Sequence, residues 1–239
     1  MTERVLVTGG SLGIGRAIAE RAKRDGYQVT IFDLVPPKDA ALGHFVAVDL
    51  SDEAATASAL AAALKHGPIT RLINNVGMVH PALLDDTKLG DFDAVIRLNV
   101  RVALQCTQAL VPAMRAARFG RIVSIGSRAG LGKELRTAYS ASKAALVGLT
   151  RTWALELAAH GITVNLIAPG PIETELWAKA NPSDSPRTKA TIAGLPMKRL
   201  GKPADIANAA SFFLNAENSF VTGQTLYVCG GASVGVSAI

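Results

Sequence analysis

Seven short runs rich in β-branched and aliphatic residues, at 4–8, 28–32, 44–48, 70–74, 121–125, 163–168 and 225–228, alternate along this chain with alanine-rich stretches of helical pattern. Strands that alternate with helices need crossover connections, which lay the strands side by side in parallel. The runs are continuously apolar instead of alternating apolar with polar, as expected of strands covered by helices on both faces. The expected fold is therefore α/β, a doubly wound parallel sheet. With 239 residues, 49% of them hydrophobic, and no repeat, linker or low-complexity tract, one domain spanning 1–239 accounts for the whole length. The segment 173–203 breaks the rhythm: Asn181-Pro182-Ser183-Asp184-Ser185-Pro186 is turn-rich, and 187–194 then fits a short helix. Long excursions of this kind are either lids over a site or ordinary surface loops.

The first run ends in Thr8-Gly9-Gly10-Ser11-Leu12-Gly13-Ile14-Gly15, and a helical pattern begins near Gly13. Glycines here let the backbone turn tightly, and the free N–H groups and dipole of a helix start attract a pyrophosphate. Gly9, Ser11, Leu12, Gly13, Ile14 and Gly15 are thus expected to cradle a dinucleotide. Asp33 closes the second run, where a carboxylate binds the adenine-side ribose hydroxyls and repels a 2′-phosphate. Leu34 after it, and Ser11-Leu12 within the turn, offer no cation to such a phosphate, so NAD(H) is favoured over NADP(H). Asp49 and Leu50, after the third run, are placed at the adenine, although Asp49-Leu50-Ser51-Asp52 also fits a turn and helix cap.

Tyr139 and Lys143 stand four residues apart in a helical stretch, so both side chains leave one face. A tyrosine titrates near about 10 when unperturbed, and a close ammonium stabilises its phenolate, which makes the pair an acid/base for an alcohol or carbonyl. An isolated pair of this spacing is more often a surface contact, so the surrounding motifs carry the weight.

The formal charge of +6 is scattered, with one loose group at Arg115, Arg118, Arg121, Arg128, Lys133 and Arg136, which brackets Ser127 and precedes Tyr139. No basic helix or aromatic–basic interleaving points to nucleic acid, whereas an anionic substrate or acidic carrier fits that group. Cys106 and Cys229 lack metal-ligand or redox spacing and are expected to be reduced structural thiols, and no metal is implied. With no signal-like start and no apolar run of about 20 residues, a cytoplasmic location without membrane attachment is expected.

Gly9, Gly13, Gly15, Asn74-Asn75-Val76-Gly77, Asn99, Ser127, Tyr139 and Lys143, in this order, make the sequence resemble the short-chain dehydrogenases/reductases. Pro169-Gly170-Pro171-Ile172-Glu173-Thr174, Arg199-Leu200-Gly201-Lys202-Pro203 and Gly230-Gly231 extend the likeness over almost the whole chain. The resemblance implies a Rossmann-like single domain and a catalytic group of Asn99, Ser127, Tyr139 and Lys143. Tyr139 would be the acid/base, Ser127 the hold on the reacting oxygen, Lys143 the ligand of the nicotinamide ribose that also lowers the tyrosine pKa, and Asn99 the group that positions backbone and water. It further places Asn75 and Gly77 at the adenosine ribose and cofactor backbone, and Pro169, Gly170, Ile172 and Thr174 around the nicotinamide.

Val76 departs from the usual alanine. The activity implied is interconversion of a secondary alcohol and a ketone with NAD(H). The alternatives are a 3-oxoacyl-carrier-protein or 3-oxoacyl-CoA reductase, with Arg118 where a carrier-docking cation lies but His160 in place of a second, and a dinucleotide-sensing module. The resemblance also implies a homotetramer, for which Val95, Leu98, Val102, Ala109, Ala145, Leu149 and Trp153 would serve equally as interface or as core.

Overall fold

Strands β1 (Arg4–Thr8), β2 (Gln28–Asp33), β3 (His44–Ala47), β4 (Arg71–Asn74), β5 (Gly120–Ile125), β6 (Ile162–Pro169) and β7 (Thr225–Val228) form one sheet in the order β3-β2-β1-β4-β5-β6-β7. Every pairing is parallel, with Leu6 opposite Thr30 on one side and Leu72 on the other. The computed structural model describes residues 3–234, so the outermost parts of the expected 1–239 domain lie outside the described residues.

The helices are α1 (Gly13–Arg24), α2 (Glu53–Leu64), α3 (Leu89–Ile96), α4 (Val102–Ala117), α5 (Thr137–Leu157), α6 (Glu175–Ala180), α7 (Pro186–Gly194) and α8 (Pro203–Leu214). Local chemistry sets several of their starts. The Asp52 carboxylate accepts the Ala55 N–H at 2.9 Å to cap α2, and Ser185 caps α7 with proline in its first turn.

Successive strand residues point to opposite faces, and both faces are buried. Leu6, Phe32, Leu72, Ile122 and Val164 pack under α2, α4 and α5, whereas Val5, Val7, Ile31, Ile73, Val123 and Ile167 pack under α1 and α8. This two-sided burial is the reason the strands read as unbroken apolar runs. Truncating a fully buried residue such as Leu72 to alanine is expected to cost about 2–5 kcal/mol.

Two arginines are buried against the sheet. Arg71 and Arg121 are almost wholly enclosed, and their guanidinium groups flank the Phe119 ring at 4.7 and 4.3 Å. Arg121 donates to the carbonyls of Asn215 (3.3 Å) and Ala216 (2.9 Å), and Arg71 donates to that of Leu214 (2.9 Å) and pairs with Glu3 at 2.9 Å. They fasten the end of α8 to the sheet, because carbonyls at a helix C-terminus have no partner within the helix. Arg121 therefore leaves the loose cationic group.

The cysteines are free and buried, as expected, and desolvation pushes the Cys106 thiol up to about 12. Val95, Val102 and Trp153 are buried within the chain itself, so their apolarity is accounted for without an interface. Among the described residues no helix is long and apolar enough to cross a membrane, and no cluster of side chains suited to a metal ion occurs.

Candidate functional site

The chain leaves β1 towards β2 and β3 on one side and resumes with β4 on the other, so a crevice opens beyond the carboxyl ends of β1 and β4. Ligands of open parallel sheets bind at such a reversal. Every sequence-predicted site residue except Asp49 and Leu50 lies on a segment bordering β1, β2, β4, β5, α3–α5 or β6, and the latter two follow β3 at the adenine-side edge.

The glycine turn is built by close approach. A Cβ on Gly15 would stand 2.0 Å from the Gly9 carbonyl oxygen, and Gly9 and Gly13 hold φ of +64° and +54°, a region that side chains disfavour. Helix α1 starts without a side-chain cap, which leaves its first N–H groups open to an anion. The buried Ser11 hydroxyl has no partner among the described residues. An open helix start, an unpartnered hydroxyl and a backbone that tolerates no side chain together fit a dinucleotide pyrophosphate.

Asp33 occupies the expected position and has a second task. One carboxylate oxygen accepts the Ser11 N–H (3.0 Å) and the other the Leu34 N–H (2.7 Å), so it braces the glycine turn as well as closing β2. Asp49 accepts both the backbone N–H (2.9 Å) and the hydroxyl (2.7 Å) of Ser51, which hold its carboxyl below the usual range. The helix cap in this segment is Asp52, and Leu50 buries its side chain in the core while its carbonyl accepts the Thr56 hydroxyl at 3.3 Å. Asn75 stands at the end of β4, beside the glycine turn, and its side chain has a structural task there. Its amide donates to the carbonyls of Thr8 (3.0 Å) and Gly9 (2.9 Å), which commits both hydrogens to tying the end of β4 to the glycine turn. Thr8 completes the tie by accepting the Asn75 and Val76 N–H groups through its hydroxyl.

The end of β5 delivers Ser127, and α5 brings Tyr139 and Lys143 to it. Burial pushes the Tyr139 phenol above its ordinary value, while hydrogen bonding to Ser127 and the charge of Arg136 work in the opposite direction. Lys143 is buried, its Nζ donates to the Ile125 carbonyl at 2.7 Å, and it lies 5.6 Å from the Tyr139 ring centre. Desolvation lowers its pKa to about 8. Lys143 stands beside the Tyr139 ring as its spacing on the helix predicts, and the charge of Arg136 also favours the phenolate.

Asn99 lies in a π-helical turn at Arg97–Arg101, between α3 and α4. Its amide oxygen accepts the Met78 N–H at 2.8 Å, and its nitrogen donates to the Met78 carbonyl and the Ser142 hydroxyl, both at 3.0 Å. Ser142 in turn donates to the Tyr139 carbonyl at 2.8 Å. Gly77 fills the gap between these groups, for a Cβ there would meet the Asn99 oxygen at 3.1 Å and the Lys143 Nζ at 3.5 Å. Sequence reasoning missed Thr8, Met78 and Ser142, and placed Arg136 only in a loose cationic group. Only Ser142 and Arg136 carried a local signal, at one helical turn to either side of Tyr139.

The 173–203 segment contains α6 and α7, the second where the sequence places it. Its base is tied by Glu173 N–H to the Gly201 carbonyl (2.8 Å) and Gly201 N–H to that of Pro171 (3.0 Å), with Ile172 buried between them. Thr174 caps α6, and a Cβ on Gly13 would meet its methyl at 3.4 Å. Arg16 of α1 pairs with Glu175 at 3.2 Å. The excursion therefore begins directly against the glycine turn. Gly170 packs so closely on Cys229 that a Cβ would stand 2.7 Å from its Cα, which holds the Pro169-Gly170 turn against the loop after β7.

Comparison with known proteins agrees with this architecture. A family model described as enoyl-(acyl carrier protein) reductase matches residues 9–233. A (2S)-[(R)-hydroxy(phenyl)methyl]succinyl-CoA dehydrogenase subunit of Thauera aromatica is 38% identical, covering 96% of each chain. The 3-oxoacyl-[acyl-carrier-protein] reductase FabG of Vibrio harveyi is 36% identical over 95% of each. Among solved structures, ElxO with NADP bound superposes with a TM-score of 0.92 at 31% identity, covering 98% of this chain and 100% of that one.

Proposed function

From the premise that this chain belongs to the short-chain dehydrogenase/reductase family, whose members act on CH–OH or C=O groups with a nicotinamide dinucleotide, we propose an NAD(H)-dependent oxidoreductase that interconverts a secondary alcohol and a ketone. The observation that carries the reading is the convergence of Ser127, Tyr139, Lys143 and Asn99 beside the crevice at the β1/β4 reversal. The bound cofactor supplies the hydride acceptor or donor at its nicotinamide.

Tyr139 takes the hydroxyl proton in oxidation and returns a proton to the carbonyl oxygen in reduction. Its raised pKa keeps it protonated at neutral pH, ready for the reductive direction. Ser127 holds the reacting oxygen. Lys143 gives one of its three donors to Ile125, which leaves two for the nicotinamide-ribose hydroxyls. Asn99 acts through backbone and neighbours, fixing Met78 on one side and, through Ser142, the Tyr139 turn on the other. Ser11, Leu12, Ile14, Gly9, Gly13 and Gly15 hold the pyrophosphate, Asp49 and Leu50 the adenine, and Asn75 and Gly77 the inner wall. Pro169, Gly170, Ile172 and Thr174 border the nicotinamide, and the 173–203 segment closes over it as a lid.

Asp33 supports NAD(H): a fixed carboxylate at the end of β2 opposes a 2′-phosphate, and Leu34 beside it is uncharged. ElxO, by contrast, carries NADP. A second reading, a 3-oxoacyl-carrier-protein or 3-oxoacyl-CoA reductase, draws on the printed activities of the Vibrio and Thauera relatives. It also draws on Arg118, which stays exposed and reaches the Ala159 carbonyl beside His160. A homotetramer is the assembly proposed.

Initial rates with NAD(H) and NADP(H) across secondary alcohols, ketones, polyols and acetoacetyl thioesters test these readings together. Turnover of simple alcohol–ketone pairs with NAD(H) is expected. Preference for NADPH would overturn the role given to Asp33, and turnover confined to thioesters would replace the first reading with the second.

A further inference from the structure

The crevice lies beyond the carboxyl ends of the strands, and a second cavity lies at their amino ends. Its volume is about 440 Å³, within the range of about 300–1,000 Å³ usual for small-molecule sites. Three neighbouring strands begin at its floor, with Arg4 as the first residue of β1, Gln28 of β2 and His44 of β3. Lys23 in the last turn of α1 and His66 just past the end of α2 close the sides.

Contacts fix these groups around one space. The Arg4 guanidinium donates to the carbonyls of Ala63 (3.1 Å) and Gly67 (2.5 Å), which pins the end of α2 over β1, and at 3.5 Å to the Thr30 hydroxyl. Thr30 stands opposite His44 in the pairing of β2 with β3, and Gly67 follows His66 in the chain. The two imidazole rings accordingly meet, with their centres 6.0 Å apart. On the far wall Lys23 donates to the Ala41 carbonyl, and Gly43 packs so tightly that a Cβ would stand 2.5 Å from the Val29 carbonyl oxygen.

The lining is chemically one-sided. It holds no carboxylate, and among the described residues Arg4, Lys23, His44 and His66 form no ion pair. Acids adjoining it in the chain are spent elsewhere, Glu3 on Arg71 at 2.9 Å and Asp25 on Arg21 at 2.8 Å. The carbonyls of Ala41, Ala63 and Gly67 are already taken by Lys23 and Arg4, which leaves part of the guanidinium and most of the ammonium free to donate. Each imidazole adds an N–H donor when neutral and two when protonated. The rest of the wall is apolar, from buried Val29 and Leu42 and from Tyr27. Donors and positive charge gathered without counter-charge in a concave site attract an anion, and charge-assisted hydrogen bonds hold it.

We propose that this cavity is a binding site, separate from the crevice, for a small molecule that joins an anionic oxygen group, phosphate or carboxylate, to an apolar body. Arg4, Lys23, His44 and His66 take the anion, and Val29, Leu42 and Tyr27 take the body.

The test titrates the full chain, with NADH in excess to fill the crevice, against phenyl phosphate, benzoate, inorganic phosphate and uncharged benzyl alcohol by isothermal titration calorimetry. Wild type is expected to bind phenyl phosphate or benzoate at least about tenfold more tightly than inorganic phosphate or benzyl alcohol. The tighter of the two aromatic anions identifies the head group as phosphate or carboxylate. A K23Q/H44Q/H66Q variant alters only exposed side chains and is expected to stay folded by thermal melting. It should lose about tenfold or more of the anion affinity while its affinity for NADH stays within about twofold, and H66K, which makes that charge permanent, should match or exceed wild type. The proposal is overturned if neither aromatic anion binds, if inorganic phosphate or benzyl alcohol binds as tightly, or if wild type and triple variant bind equally. A parallel loss of NADH affinity in the triple variant, or an H66K variant as weak as the triple one, overturns it too.

Discussion

The cofactor half and the substrate half of the crevice are built on opposite terms. Around the glycine turn, Asn75, Thr8 and Asp33 satisfy one another's backbone groups, and what is left open is a helix start and the Ser11 hydroxyl. Around Ser127 and Tyr139 the loop is strained at Leu135 and lined with cations that have no ion-pair partner among the described residues. One half satisfies most of its polar groups within the chain, and the other leaves charge unpaired among the described residues. A shared cofactor rewards a preorganised cradle, whereas charge left unpaired discriminates among the molecules that approach it.

The sharpest way to separate the halves is Tyr139→Phe, expected to lower kcat by about 10²- to 10⁴-fold while NADH binding, followed by fluorescence, stays within about twofold. Equal loss of both would merge the two halves into one. Gly15→Ala attacks the other side. A Cβ only 2.0 Å from the Gly9 carbonyl forces the turn apart, so cofactor affinity is expected to fall by about tenfold or more and stability by about 1–3 kcal/mol, read by NADH titration and thermal melting.

Replacing Asp33 by Asn keeps an acceptor for the Ser11 N–H but removes the charge, and is expected to shift the NADP-to-NAD ratio of kcat/KM upward by about tenfold. No shift would reduce Asp33 to a brace of the glycine turn. pH profiles provide a milder probe. Burial raises the Tyr139 pKa, so the reductive rate is expected to hold through neutrality and decline as pH climbs towards that value, while the oxidative rate rises over the same span. The smallest effect belongs to Glu175→Gln. It breaks a half-exposed pair with Arg16 that contributes about 0.2–1 kcal/mol at most, and is expected to raise KM for cofactor less than about threefold, with the difference vanishing in high salt.

Much of this architecture was legible in the residues themselves. The strands at 4–8 and 225–228 coincide with β1 and β7, the helix opening at Gly13 is α1, and the short helix read within 173–203 is α7. The order Gly9, Asp33, Asn99, Ser127, Tyr139 and Lys143 pointed to the crevice they border. What the residues did not show was how each polar group spends its hydrogen bonds. Asn75 also ties β4 to the glycine turn, Arg121 leaves the loose cationic group to fasten α8, and the π-helical turn that presents Asn99 has no local sequence signature.

By itself, then, the sequence determined the parallel sheet, the dinucleotide turn and the Tyr139–Lys143 face, because apolar periodicity, glycine conformation and helical spacing are written within a few neighbouring residues. Tertiary structure alone decided that the Lys143 ammonium is held against the Ile125 carbonyl and that Asn99 is joined to Met78 and Ser142. A side chain's charge is local, but the carbonyls and like charges that surround it come from segments far along the chain, and only packing brings them within reach.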